Sequence, residues 1–550
     1  MKRITKVLII FLALCLLVPM IAACNKDKGG NNNTTTPVNQ NNGGNPDDTD
    51  DPDETTEPED VVELPEAIDM NGYVYKAYVR KFAGTTPDAL QAQLQNGNNR
   101  YECIDFWVDE TSSGTDAISA AVYRRNSQIE RDYNCKIQQV PSEGNQTEHL
   151  LNAYTTGDGY DLTIIMAKSA AQAATQNLLR NLKDMVYLDL THEAYDQNSI
   201  NELSVEDKLY FLSGDMNVST MEVAGLSIVN MEFYERIVDT IVEDFGNDPA
   251  YSDIYNIVKA NKWTMDTMMK IAGHANVDLN EDLDSSGLRA SPIDYDGNDT
   301  HKSGDSVGYF QYYNSTLWYF YASGGRISTK TESGLHEMTI GSDHAQTLYD
   351  YLYENFNRKV KVPWIPHDAS AVLNANFLTG DVLFMDVSLF EIRTELYANA
   401  DFEYGILPNP VLEEGMEYKS LVFFNNWAHL WAIPSMLGTQ NEEYSQRLMQ
   451  ALTAYSAAGI EDSTMYAYYD RTICWTAAKD NDSREVMDTI RTSMVYDLAL
   501  LYPSWGGLET ILTQIPNKEA PEYAGIKDGL DMIILEMEKT IEELRNPNEY

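Results

Sequence analysis

Aromatic rings and polar side chains sit side by side at three places in this chain: Gln311-Tyr312-Tyr313-Asn314, Phe423-Phe424-Asn425-Asn426-Trp427 and Tyr502-Pro503-Ser504-Trp505-Gly506-Gly507. Residues of these types suit a ligand built from rings with apolar faces and hydroxyl rims. Trp and Tyr offer flat partners to the faces, while Asp, Glu, Asn, Gln and Arg bond the hydroxyls directionally. The chain holds 35 Tyr and 8 Trp, enough to line a cleft and still leave most of them to the core. Other chemistries find less support. Asp278, Asn280, Asp282 and Asp284 alternate like the start of a calcium loop, but Leu283 stands where that loop needs Gly and Arg289 where it needs a bidentate Glu. The 8 His show no H-x-x-H pair, so no metal site is expected. Among 85 acids, carboxylate pairs arise by chance and say nothing of glycosidase chemistry without geometry. No G-x-S-x-G, P-loop or G-x-G-x-x-G pattern appears, and no cofactor is expected.

Cys24 is a chemical group of another kind. Lys2, Arg3 and Lys6 precede an apolar run over residues 7–18, Pro19 breaks it, and Ile21-Ala22-Ala23 place small side chains before the cysteine. This resembles a bacterial lipoprotein signal with its lipobox, which implies a signal peptide over 1–23 and a diacylglyceryl group on the Cys24 thiol. The run is short for a membrane-spanning helix of about 20 residues. Residues 25–60, rich in Asn, Thr, Gly, Pro, Asp and Glu, bury too little to fold and read as a tether. That segment has 10 acids and 2 bases, so most of the net charge of −46 belongs to the remainder. So acidic a surface is repelled by phosphate backbones and anionic lipid, which argues against nucleic-acid binding and leaves membrane attachment to the lipid. Cys103, Cys135 and Cys474 remain in the mature chain; a bridge between the first two and three free thiols are both open.

The elements that must position these groups read as α/β. Residues 73–79 are β-branched and aromatic, 115–133 space Ile118, Val122 and Ile129 at helical intervals, and 135–140 form a second strand. A polar helix over 145–155 leads into a continuous apolar run at 161–166, of the sort buried on both faces of a parallel sheet, and an Ala-rich helix follows over 169–179. Strand and helix alternating with right-handed crossovers predict a doubly wound sheet. Ligands sit at the carboxyl ends of strands in such sheets, which points to Lys168 and Ser169.

The segment Thr115-Asp116-Ala117-Ile118 through Tyr133-Asn134 resembles the opening helix of extracellular solute-binding proteins of ABC importers, the group that includes maltose- and oligosaccharide-binding proteins. Tyr160-Asp161-Leu162, Leu178-Leu179-Arg180-Asn181-Leu182, Leu188-Asp189-Leu190, Lys208 through Asp215, Asn261-Lys262-Trp263-Thr264, Phe377 through Phe384 and Tyr404 through Pro410 follow in the family's order. Ile228-Val229-Asn230-Met231 departs from the Asn-Lys pair usual there. The resemblance, over most of 71–546, implies a type II periplasmic-binding fold: two lobes with a cleft between them, lobe one about 71–210 and 379–411, lobe two about 215–375 and 430–550. Crossing strands are expected near 209–214, 379–384 and 424–433.

On that resemblance Tyr312 and Asn314 are lobe-two sugar contacts, and Asn425, Asn426 and Trp427 lie at a crossing beside the ligand. Trp505 is lent to the cleft, and Phe390 faces it with Asp386 or Ser388. The implied protein is a lipid-anchored monomer, not an enzyme, on the outer face of the cytoplasmic membrane. It would capture a solute, an oligosaccharide by preference, for a membrane permease by hinge closure. A surface glycan-capture or adhesion lipoprotein without an importer is the alternative, and a glycan hydrolase is the least favoured.

Overall fold

The computed structural model describes residues 66–80, 105–142, 145–192, 194–276, 306–356, 376–396, 399–422, 428–436, 439–477, 480–517 and 520–547. Cys24, the tether, the acidic loop at 278–284 and the segment holding Asn425, Asn426 and Trp427 lie outside the described residues, as does Cys103. The strands, in chain order, are β1 (Tyr73–Val79), β2 (Cys135–Pro141), β3 (Leu162–Met166), β4 (Gly225–Asn230), β5 (Val307–Phe310), β6 (Ser328–Lys330), β7 (His336–Met338), β8 (Val382–Ser388), β9 (Tyr404–Leu407), β10 (Ser420–Leu421), β11 (His429–Ala432) and β12 (Met494–Val495). Cys135 and Cys474 are free and buried.

The first sheet runs β11-β3-β1-β2. β1 is parallel to β2, with Tyr73 opposite Cys135, and parallel to β3, with Ala77 opposite Leu162. β3, Leu-Thr-Ile-Ile-Met, is buried over Leu162 to Ile165, as a continuous apolar run requires of a central strand. Its crossover helices start where capping chemistry allows. Asp116 accepts from Ser119 N at the head of Ala117–Asp132, and Asn145 accepts from Thr147 N and Glu148 N at the head of Gln146–Thr156. The second of these ends at Gly157, which takes a φ of 78°. β11 then adds antiparallel to β3, His429 opposite Met166.

The second sheet runs β5-β8-β4-β9. β5 and β8 are parallel, while β4 is antiparallel to both β8 and β9. β4 and β8 are buried along their whole lengths. This pairing corrects the lobe boundaries. Residues 379–411, expected in lobe one, carry β8 and β9 and belong to the second sheet. Residues 429–432, just inside the part expected in lobe two, complete the first sheet. The helix Thr439–Ala454 packs on Ala117–Asp132, whose Arg125 donates from Nη1 to Ser456 Oγ at 2.9 Å. The run at 382–388, apolar except for Asp386 and Ser388, suits the middle of any sheet; which sheet it joins is set by long-range pairing that local pattern does not carry. Leu188-Asp189-Leu190, which the family resemblance implies to be a short strand, is coil and turn.

Candidate functional site

Parallel strands share an edge at their carboxyl ends, and both sheets turn that edge to the same connection. On the first sheet it carries Arg80 after β1, Ser142 after β2, Ala167 and Lys168 after β3, and His429 at the start of antiparallel β11. On the second it carries Gln311 after β5, Ser388 at the end of β8, and Gly225 opposite Ser388. The chain crosses between them once past the bridge of Leu212 to Trp431, through the short helix Val218–Met221, and enters β4 at Gly225. Asn217 Nδ2 and Thr220 Oγ1 donate to the carbonyl of His429 at 2.9 and 2.6 Å, which ties this connection to the first edge. Phe390 N donates to the Glu222 carbonyl at 3.1 Å, and Arg393 Nη2 to Glu222 Oε2 at 3.1 Å, which tie it to the second.

The polar groups at this junction are deeply buried. Asp105 Oδ2 accepts from Ser219 Oγ at 3.0 Å, and Ser219 Oγ also lies 2.8 Å from Asn217 Oδ1 and 3.2 Å from His429 Nδ1. Burial pushes the Asp105 carboxyl up to about 7, with the nearby Glu222 adding to the shift and Ser219 and Arg125 opposing it. Burial, helped by Arg80, holds His429 down at about 3, so the imidazole is neutral.

The second edge carries an aromatic wall. Tyr312 stacks on Trp318 with centroids 5.4 Å apart and planes 21° from parallel, and Tyr313 leans on Tyr312 at 4.3 Å. Trp318 lies flat over Gly225, where a Cβ would stand 2.2 Å from the indole; only glycine admits the ring there. Beside the wall, Gln311 is 1% exposed with neither amide atom partnered among the described residues, and Asn314 Oδ1 is likewise buried and without a partner among them. An unsatisfied buried polar group costs about 1–3 kcal/mol, which makes these amides candidates for bonding a ligand or a water.

Beyond β3 the helix Ala167–Thr175 and the helix Leu530–Arg545 enclose a cavity of about 450 Å³, lined in part by Lys168, Ser169, Gln172, Tyr502, Ser504 and Lys539. Its size is that of a small-ligand site. Lys168 Nζ pairs with Glu509 Oε1 at 3.1 Å, linking the first-sheet helix to the helix Leu508–Thr513. That helix is bound in turn to the second-sheet side, since Thr316 Oγ1 donates to the Leu512 carbonyl at 2.7 Å.

The sequence-derived residues thus divide. Lys168 and Ser169 meet the segment 502–504 at one cavity, and Tyr312, Asn314, Ser388 and Phe390 stand at or just beyond the second edge. Two candidates lie elsewhere. Asp386 is fully buried inside the second half, accepting from Ser227 Oγ and Tyr319 OH at 2.7 Å each and from Tyr309 OH. Trp505 is 1% exposed, stacked on Tyr502 at 5.1 Å, with its indole N–H donated to Thr540 Oγ1 at 3.2 Å. Tyr502, not Trp505, lines the cavity. Ring size does not reveal which of two aromatics three residues apart faces inward. Gln311, Asp105, Ser219 and His429 were missed; an amide at a strand end beside Tyr312 was the available signal for Gln311, and the other three carry no local signature.

No protein-family model matches the chain, and its sequence matches no curated protein. Among solved structures, the chain is similar to a cyclo/maltodextrin-binding protein complexed with maltotetraose, with a TM-score of 0.50 and 16% identity over 85% of this chain and 97% of that one. It is also similar to an extracellular solute-binding protein from Staphylococcus aureus in complex with maltose, with a TM-score of 0.48 and 12% identity over 88% of this chain and 99% of that one. The GacH receptor of Streptomyces glaucescens gives a TM-score of 0.48 and 12% identity over 86% of this chain and 99% of that one. The first of these likenesses establishes the fold as the α/β type II periplasmic-binding arrangement.

Proposed function

From the type II periplasmic-binding fold, we propose that this protein is a lipid-anchored extracellular receptor that captures an oligosaccharide between its two four-stranded sheets and hands it to a membrane permease. The observation that carries the reading is the convergence of both carboxyl edges on one connection, with an aromatic wall and unpartnered amides on one side and a polar cavity beside it. Uncharged donors and acceptors next to flat rings are the groups that bond hydroxyls and cover sugar faces. The reading extends to this chain what two of those structures hold, maltotetraose and maltose. Contacts to both sheets form only when the halves close, so ligand would favour the closed state by that difference in affinity. Capture transforms nothing chemically.

A thermal-shift screen of the protein without its first 24 residues, against mono- and oligosaccharides, peptides and polyamines, tests the reading, because a ligand that binds only the folded state raises its melting temperature. Oligosaccharides are expected to shift it. A shift by peptides alone would remove the carbohydrate assignment, and sugar cleaved during incubation would replace capture by hydrolysis. Loss of the protein to the medium on Cys24→Ser is expected from the anchor; retention at the membrane would refute it.

A further inference from the structure

We propose that Lys168 and Glu509 form a latch between the two halves, one that holds part of the protein closed before solute arrives and so tightens capture. The inference rests on hinge closure as the mode of capture and adds what biases it.

The two side chains are anchored to different sheets. Lys168 stands in the helix Ala167–Thr175, which leaves β3 directly, and Ala167 N donates to the Ala428 carbonyl at 3.0 Å, next to β11 of the same sheet. Glu509 stands in the helix Leu508–Thr513, whose Leu512 carbonyl accepts from Thr316 Oγ1 at 2.7 Å. Thr316 belongs to the helix Ser315–Ala322, and Trp318 of that helix covers Gly225 of β4. The pair, Lys168 Nζ to Glu509 Oε1 at 3.1 Å, is therefore a bond from the first sheet's side to the second's.

Little else bonds across at this place. The cavity of about 450 Å³ separates Ala167–Thr175 from Leu530–Arg545, and among the described residues no other side chain of Ala167–Thr175 bonds the second half; Ser169 and Gln172 line the cavity without doing so. Glu509 meets no second cation among the described residues, and its side chain is 9% exposed, so losing Lys168 leaves a nearly buried carboxylate without a counter-charge. Parting the sheets pulls the partners apart, and the pair therefore favours the closed state alone. By contrast Arg393 and Glu222, which tie the connection to the second edge, are almost wholly buried and sealed from salt. Lys168 is 33% exposed, so dissolved ions reach its pair and weaken it.

The experiment uses the chain from residue 25 onward, which holds every described residue, and compares it with Glu509→Gln, which keeps the shape of the side chain and removes its charge. Without sugar, small-angle scattering is expected to give a larger radius for Glu509→Gln, and the exchanged pair, Lys168→Glu with Glu509→Lys, is expected to return to the parent's radius. Oligosaccharide affinity is expected to fall about fivefold in Glu509→Gln, since apparent affinity scales with the closed fraction. Both gaps between parent and variant are expected to close between about 0.01 M and about 1 M salt, as the screening length falls from about 30 Å to about 3 Å. Referring each salt point to the variant removes the self-repulsion of so acidic a chain, which salt also weakens. Equal radii at low salt, or a radius gap that salt does not touch, overturn the latch; a radius gap with equal affinities overturns its link to capture. Should Glu509→Gln fail to fold, Lys168→Gln is expected to show the same radius gap, and its absence overturns the proposal. If the parent binds no sugar at all, the proposed function fails separately, and the radii still decide whether the latch exists.

Discussion

Asp105 and Asp386 are both carboxylates removed from water, yet their surroundings differ in kind. Asp386 lies wholly within the second half and accepts from three hydroxyls, those of Ser227, Tyr309 and Tyr319. Asp105 lies beside the connection that enters β4 and has the hydroxyl of Ser219, shared with Asn217 Oδ1, and the Ser219 amide N–H at a long 3.4 Å. Burial raises both carboxyls, and Asp105 meets fewer hydroxyl donors against that cost than Asp386 does. The comparison teaches that burial alone does not make an acid scaffold: the number of donors that meet it decides how firmly its surroundings hold it.

The largest blow to the scaffold side of this comparison is expected from Trp505→Ala. With its ring sealed between Tyr502 and Thr540, truncation should cost about 4 kcal/mol in urea unfolding; a loss of affinity with stability intact would return Trp505 to the cleft. Asp386→Ala leaves three buried hydroxyls without their acceptor and should cost about 3 kcal/mol. If that variant melts like its parent, Asp386 is not the scaffold described. Gly225→Ala pushes a methyl into Trp318 and should cost about 2 kcal/mol while weakening sugar binding through Tyr312. Gln311→Leu should leave stability unchanged or raise it by about 1 kcal/mol, since it removes an unpartnered amide, yet lower sugar affinity. Equal affinity would take Gln311 out of the site.

The gentlest test is pH. Asp105 rises from 3.8 to about 7, Glu202 from 4.5 to about 7 and Asp161 from 3.8 to about 6, in each case chiefly through burial. A carboxyl whose folded value is raised holds its proton better in the folded state. Its contribution to stability is full below the unfolded value and is lost as pH rises through the folded one. The melting temperature should therefore climb as pH falls from about 7 towards about 5, and Asp105→Asn should flatten part of that climb. A melting curve insensitive to pH over that window would contradict the burial of all three groups.

Much of the first sheet was legible because its cues are local. The run at 73–79 alternates and pairs as β1, Asp116 and Asn145 cap the helices that follow, and the unbroken apolar run ending at Met166 is the central strand. Lys168 and Ser169 followed from the rule that parallel strands offer ligands their carboxyl ends, and both line the cavity beyond β3. The second sheet was less legible. β8 is buried on both faces and therefore has no polar side to say which neighbour it takes.

What the amino-acid order determines by itself is the alternation of strands and helices and the stock of rings and amides, since periodicity and capping act over a few residues. Tertiary structure decides the rest. It assigns β8 and β9 to the second sheet, sets Trp505 and Asp386 inside while leaving Gln311 unpartnered at an edge, and brings Asp105 to Ser219 and His429 across 114 and more residues of chain. Burial and charge are properties of neighbours in space. Only the packed chain has neighbours of that kind.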